Sequence, residues 1–84
     1  MNHVASPSFW EAYEKLPSAI RAKADRRFER LRSHPFDPSL HFKQVGRYWS
    51  ARVDDNYRAV ATRTNDDVIW FWIGTHADYD HLLK

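Results

Sequence analysis

The chain has no cysteine and only two glycines among its 84 residues. Without cysteine there is no disulfide scaffold and no thiolate-bound zinc. Two glycines cannot build a phosphate-cradling loop or a dinucleotide-binding turn. A GxSxG sequence is missing as well, which excludes a nucleophile-elbow hydrolase. No apolar run approaches the ~20 residues that a membrane span needs. The opening stretch MNHVASPSF carries no signal-like apolar region. These absences give the expectation of one small domain over residues 1–84, without membrane contact and cytoplasmic. A core of this size is only marginally stable alone.

What the sequence does have is aromatic residues, 15% of the chain, with four Trp. Large rings bury much area per residue and compensate for a short chain. Net charge is +2, but it is unevenly spread. Arg21, Lys23, Arg26, Arg27, Arg30 and Arg32 stand against only Asp25 and Glu29 in residues 20–36. The acidic pairs Asp54–Asp55 and Asp66–Asp67 come later. Such a basic stretch suits an anionic partner, and on charge alone it suits a solvated helix face equally well.

Ser6-Pro7-Ser8 reads as a helix start, followed by Phe9, Ala12, Tyr13 and Leu16 at helical spacing. Pro17 ends that helix and begins a second, whose stripe is Ile20, Ala24, Phe28 and Leu31. Two prolines in His34–Ser39 stop it. The period then changes. Residues 41–45, 48–53, 57–63 and 68–73 read as strands, and Thr75 or His76 caps a short last helix. The expected fold is α+β: an N-terminal helical hairpin packed on an antiparallel sheet of three or four strands, with a short C-terminal helix.

Register sharpens this. A three-residue turn at Asp54-Asp55-Asn56 pairs Val53 with Tyr57, Ala51 with Ala59 and Trp49 with Ala61. A four-residue turn then places Ala61 opposite Trp70 and Ala59 opposite Trp72, small against large, on the face expected to receive the helices. The other face carries Arg52 directly opposite Arg58, with Ser50, Val60, Phe71 and Ile73 around them. Like charges so opposed are destabilising unless an anion, or Asp54 or Asp55, lies between them.

Cleaving RNA without a metal requires removal of the 2′-hydroxyl proton, cations on the phosphorane-like charge and an acid for the leaving 5′-oxygen. His76 follows the last strand, with Tyr79 three residues on; His41 and Lys43 sit on the first strand. Imidazole suits the acid or base role near neutral pH. His76-x-Asp78-x-x-His81 does not have the spacing of a metal-ligand box, so no metal and no cofactor is expected. Trp70 and Trp72, on a strand apolar on both sides, are expected in the core.

Arg47-Tyr48-Trp49-Ser50-Ala51-Arg52-Val53, then Tyr57-Arg58-Ala59-Val60, resembles the strand hairpin of the RelE/ParE toxins. Ile73-Gly74-Thr75-His76-Ala77-Asp78-Tyr79 is similar to their closing segment. The likeness spans residues 9–84. It implies the toxin of a type II toxin–antitoxin pair, favouring the RelE- and YoeB-like branch of metal-independent mRNA endoribonucleases acting at the ribosome. It implies that Arg58 binds the scissile phosphate, that Arg52 supports it and that His76 is the general acid. Further substrate contacts would come from Lys43, Arg47, Ser50 and Tyr79, with Arg26 and Arg30 on ribosomal RNA phosphates. A Glu that serves as base in YoeB-like members has no counterpart near Leu40-His41-Phe42, and His41 stands in its place. Ser50 stands where RelE has a Lys, and only His3-Val4-Ala5 could form the family's N-terminal strand. The implied partners are a cognate antitoxin, mRNA and the ribosome. The alternatives are a ParE-like DNA gyrase poison without nuclease activity, or a degenerate toxin that only binds antitoxin.

Overall fold

The computed structural model describes residues 1–83. Five strands form one mixed sheet in the order β1-β5-β4-β3-β2. They are β1 (Asn2–Ala5), β2 (Lys43–Val45), β3 (Tyr48–Asp54), β4 (Tyr57–Thr64) and β5 (Asp67–Thr75). Helices α1 (Pro7–Glu14) and α2 (Ser18–Ser33) precede β2, and α3 (His76–Leu82) follows β5. The α+β class and helix order match expectation, but the sheet is larger and not purely antiparallel. Residues 2–5 add an edge strand that runs parallel to β5, with His3 beside Val68 and Ala5 beside Trp70. Four residues carry too little alternation to announce a strand, and only pairing with β5 makes them one.

Local sequence explains the boundaries. Pro7 occupies the first turn of α1, where its missing N–H costs nothing. Pro17 breaks the chain between the helices and is the residue before α2. Asp37 accepts from the Ser39 N–H and starts a one-turn 3₁₀ helix, Pro38–Leu40, within the stretch expected to be loop. Thr75 Oγ1 accepts from the Asp78 N–H and caps α3.

Both helices lie on one face of the sheet. Leu16, Leu31, Leu40, Phe42, Ala51, Val53, Ala59, Ala61, Val68, Trp70 and Ile73 form the core there. Phe9, Ala12, Tyr13, Ile20 and Ala24 pack against it, as the two helical stripes require. Phe28 departs from its stripe and is 39% exposed. Helix α1 rests on β5 and α2 on β3. A cavity of about 130 Å³ remains between them, with Phe28 on its wall.

Two bulges correct the expected register. Arg52 faces Arg58, Ala51 faces Ala59 and Trp49 faces Ala61, but the pairing then shifts and Asp54, not Val53, meets Tyr57. In β5, Ala61 faces Trp70, yet Val60 faces Trp72 and Ala59 faces Ile73. Phe71 is the extra residue. One inserted residue reverses the facing of everything beyond it. Ile73 therefore enters the core at 3% exposure, and Trp72 leaves it for the opposite face.

His3 ties the edge strand to the core. Its Nδ1 accepts from the Trp70 indole N–H at 3.0 Å, and its ring stacks on Trp70 and meets the Phe28 ring edge-on. Burial, aided by the N-terminal ammonium, Arg32 and Arg63, pushes the imidazole below its ordinary value near 6.5. The folded state thus favours neutral His3, and unfolding takes up a proton on the acid side. Its contribution is complete above about pH 6.5 and is lost as pH falls through the lowered value. The urea midpoint should drop between about pH 7.5 and 5, and His3→Gln should flatten part of that drop. Parallel profiles for the two proteins would count against it.

Candidate active site

The face away from α1 and α2 is built row by row. Lys43 pairs with Ser50, Ser50 with Val60, and Val60 with Trp72. In the next row Arg52 pairs with Arg58 and Arg58 with Gly74. Directly paired residues project to one side of a sheet. The face therefore collects Lys43, Ser50, Arg52, Arg58 and Trp72. Its floor is closed, since Ser50 is 3% exposed and Val60 is fully buried.

The β3–β4 turn supplies oxygens to this face. Arg52 forms an ion pair with Asp55, whose side chain is 87% exposed. Arg58 donates through Nη1 to the backbone carbonyls of Asp54 and Tyr57. Each of the opposed guanidinium groups is thereby satisfied by its own acceptor at the turn. The Asp54 carboxylate accepts from the Asn56 N–H and from Lys23 Nζ of α2 at 3.3 Å. Burial pushes this carboxyl up, but these hydrogen bonds and that of the Tyr57 N–H outweigh it and hold Asp54 below the usual range.

The same turn places α3. The His76 N–H donates to the Asn56 carbonyl at 2.7 Å. His76 lies two residues past Gly74, at most about 7 Å along the chain. Its Nδ1 is 3.2 Å from the Asp80 carboxylate, and its ring meets Tyr79 edge-on at 5.6 Å. With Nδ1 held by Asp80, Nε2 is the nitrogen left for a ligand. Asp80 was not among the candidate residues. Its signal was present, because positions i and i+4 share a helix face.

Other expected site residues lie elsewhere. His41 is not on a strand: it ends the 3₁₀ helix in a left-handed conformation, with φ of 46°. Leu40 and Phe42 on either side are both buried, which turns His41 outward. Edge strand β2, which follows His41, is three strands from β5, roughly 14 Å at the usual spacing. Arg47 sits at the β2–β3 turn with its guanidinium over the Tyr48 ring. That is five residues from Arg52, roughly 17 Å along the strand. Arg26 and Arg30 belong to α2, on the far side of the sheet, and Arg30 pairs with Asp37 at 2.6 Å. Among the described residues no three His, Cys, Asp or Glu side chains gather as a metal site.

Gly74 is a fixed requirement of this face. A Cβ there would lie 2.4 Å from Trp72 Cζ2 and 2.8 Å from Cη2. The indole occupies the space a side chain at position 74 would take. Gly74→Ala should force the ring off its seat and cost about 1–3 kcal/mol. Urea unfolding measures it, and an unchanged midpoint would contradict the close approach.

Comparison with known proteins follows this geometry. A family model described as ParE-like toxin domain matches residues 18–81. No curated protein sequence matches. Among solved structures, the RelB–RelE antitoxin–toxin complex of Methanococcus jannaschii superposes with a TM-score of 0.75 at 15% identity, covering 96% of this chain and 99% of that one. A YoeB/ParE toxin from Agrobacterium tumefaciens gives 0.69 at 19% identity, with 90% and 99% covered. The E. coli DinJ–YafQ toxin–antitoxin complex gives 0.72 at 14% identity, with 92% and 93% covered.

Proposed function

The chain belongs to the ParE-like toxin domain family, and from that premise we propose that it is the toxin of a type II toxin–antitoxin pair, cutting mRNA at the ribosome without a metal. One observation carries the reading: the opposed Arg52–Arg58 pair lies across the strands from Gly74, two residues before a carboxylate-held His76. Arg52 and Arg58 take the scissile phosphate. The RNA 2′-oxygen attacks phosphorus and loses its proton to solvent, and a phosphorane-like charge develops between the two guanidinium groups. His76, protonated and oriented by Asp80, gives its proton to the leaving 5′-oxygen as that P–O bond breaks. The products are a 2′,3′-cyclic phosphate and a 5′-hydroxyl. His41 has no part in this step. Lys43 and Ser50 extend the cationic and polar row beside the arginines, and Tyr79 flanks His76.

Phosphate can displace what Arg52 now holds. The Arg52–Asp55 pair is exposed on the carboxylate side, and such pairs contribute at most about 1 kcal/mol. A bidentate arginine–phosphate contact is stronger and more directional. RelB–RelE and DinJ–YafQ are toxin–antitoxin complexes; by analogy the partner that silences this chain is a cognate antitoxin, and the pair acts in the cytoplasm. A second reading has the family description in its favour: a ParE-like poison of DNA gyrase, which needs no general acid.

Induction of wild type, His76→Ala and Arg58→Ala in bacteria lacking the antitoxin, with mRNA 5′ ends mapped by primer extension, separates these. Ribosome-phased cuts with wild type should disappear in both variants. Growth arrest without cuts that persists in His76→Ala would assign gyrase or another target. Neither arrest nor cuts, with soluble folded protein present, would leave a domain that only binds antitoxin.

A further inference from the structure

The aromatic side chains expected in the core do not all go there. Because Phe71 is an extra residue in β5, both Phe71 and Trp72 project to the arginine face. Tyr48 lies on that face too, its ring 5.5 Å from Phe71. Three rings thus line the sheet surface that carries Arg52 and Arg58.

Trp72 is the ring nearest the arginines. Val60, directly opposite it, is fully buried. The six-membered part of the indole reaches over Gly74, the cross-strand partner of Arg58. The indole is held over two residues without being enclosed, since Trp72 stays partly exposed. A ring needed only to cover Val60 could be aliphatic and would not require a glycine two residues on. A flat surface beside a phosphate-binding arginine is what single-stranded nucleic acid grooves use: the cation takes the backbone and the ring takes the base.

We propose that Trp72 is the base-stacking residue of the site, holding the nucleobase next to the phosphate bound by Arg58. The inference rests on the phosphate-binding reading of the arginine pair. The ligand class is single-stranded RNA with an unstacked base. Stacking of this kind tolerates any base identity, because every base has a π-face. Trp72 therefore sets the position of the cut along the chain more than its sequence.

The test uses two fluorescein-labelled RNA oligonucleotides of equal length, 2′-O-methylated so that they cannot be cut, one intact and one abasic at its central positions. Anisotropy at low salt gives both affinities. Wild type should bind the intact strand at least about fivefold tighter. Trp72→Leu should lose that preference and keep its affinity for the abasic strand, while Trp72→Phe retains most of the preference. Arg58→Ala should weaken both strands alike. Circular dichroism confirms folding of each variant. Quenching of tryptophan emission in wild type by the intact strand, absent with the abasic one, supplies a readout that needs no variant. Equal affinity of wild type for the two strands, or a preference that survives Trp72→Leu, overturns the stacking role and leaves the phosphate site standing. Binding of neither strand overturns the phosphate reading, and the stacking role falls with it.

Discussion

The extra residue in β5 governs the chemistry of both faces of the sheet. Six consecutive apolar side chains, Val68 to Ile73, could not all be buried by two short helices on one side. Alternation sends three to each face, and the bulge at Phe71 decides which three. Trp70 and Ile73 go to the helices, while Phe71 and Trp72 go to the other surface. The result is a core filled by one indole and a surface paved by another, both from the same strand. Without the shift Ile73 would leave the core, and Trp72 would be withdrawn from the arginines.

A second constraint joins this surface to the rest of the molecule. The turn is two residues long, Asp55-Asn56, yet together with Asp54 at the end of β3 it serves four elements. Its carboxylates and carbonyls hold Arg52, Arg58 and Lys23 of α2, and the Asn56 carbonyl receives the first N–H of α3. Arginine geometry, helix docking and the placement of His76 are therefore not independent. A change in the turn moves all of them together. The turn's oxygens also answer how the sheet tolerates two opposed guanidinium groups: each is satisfied locally, Arg52 by the Asp55 carboxylate and Arg58 by the Asp54 and Tyr57 carbonyls.

Much of this was legible in the sequence. The prolines marked the helix breaks, the apolar spacing gave the core faces of both helices, turn length placed Ala51 against Ala59, and the next turn placed Ala61 against Trp70. Arg52 opposite Arg58 followed from turn length alone. What failed did so at irregularities. Alternation has no means of announcing a bulge, so Trp72 and Ile73 were assigned to each other's faces. His41 was read as the first residue of a strand, while the Asp37 cap and Pro38 begin a 3₁₀ turn that ends on His41. Strand β1 was too short to read from alternation, with only His3-Val4-Ala5 as its material, and its existence depends on a partner some 65 positions away. The basic helix was legible as a helix, but only the layering of the fold shows that its arginines lie across the sheet from Arg52 and Arg58.

That distant pairing has a consequence in time as well as in space. Residues 2–5 can find their place only after Asp67–Trp70 have been made, so the edge of the sheet closes last during synthesis. Until then the chain has its helices and hairpin but neither β5 nor the segment bearing His76. A nascent copy therefore has Arg52 and Arg58 before it has Trp72 and His76. The face that brings these four residues together is thus complete only once the last strand and α3 have been made.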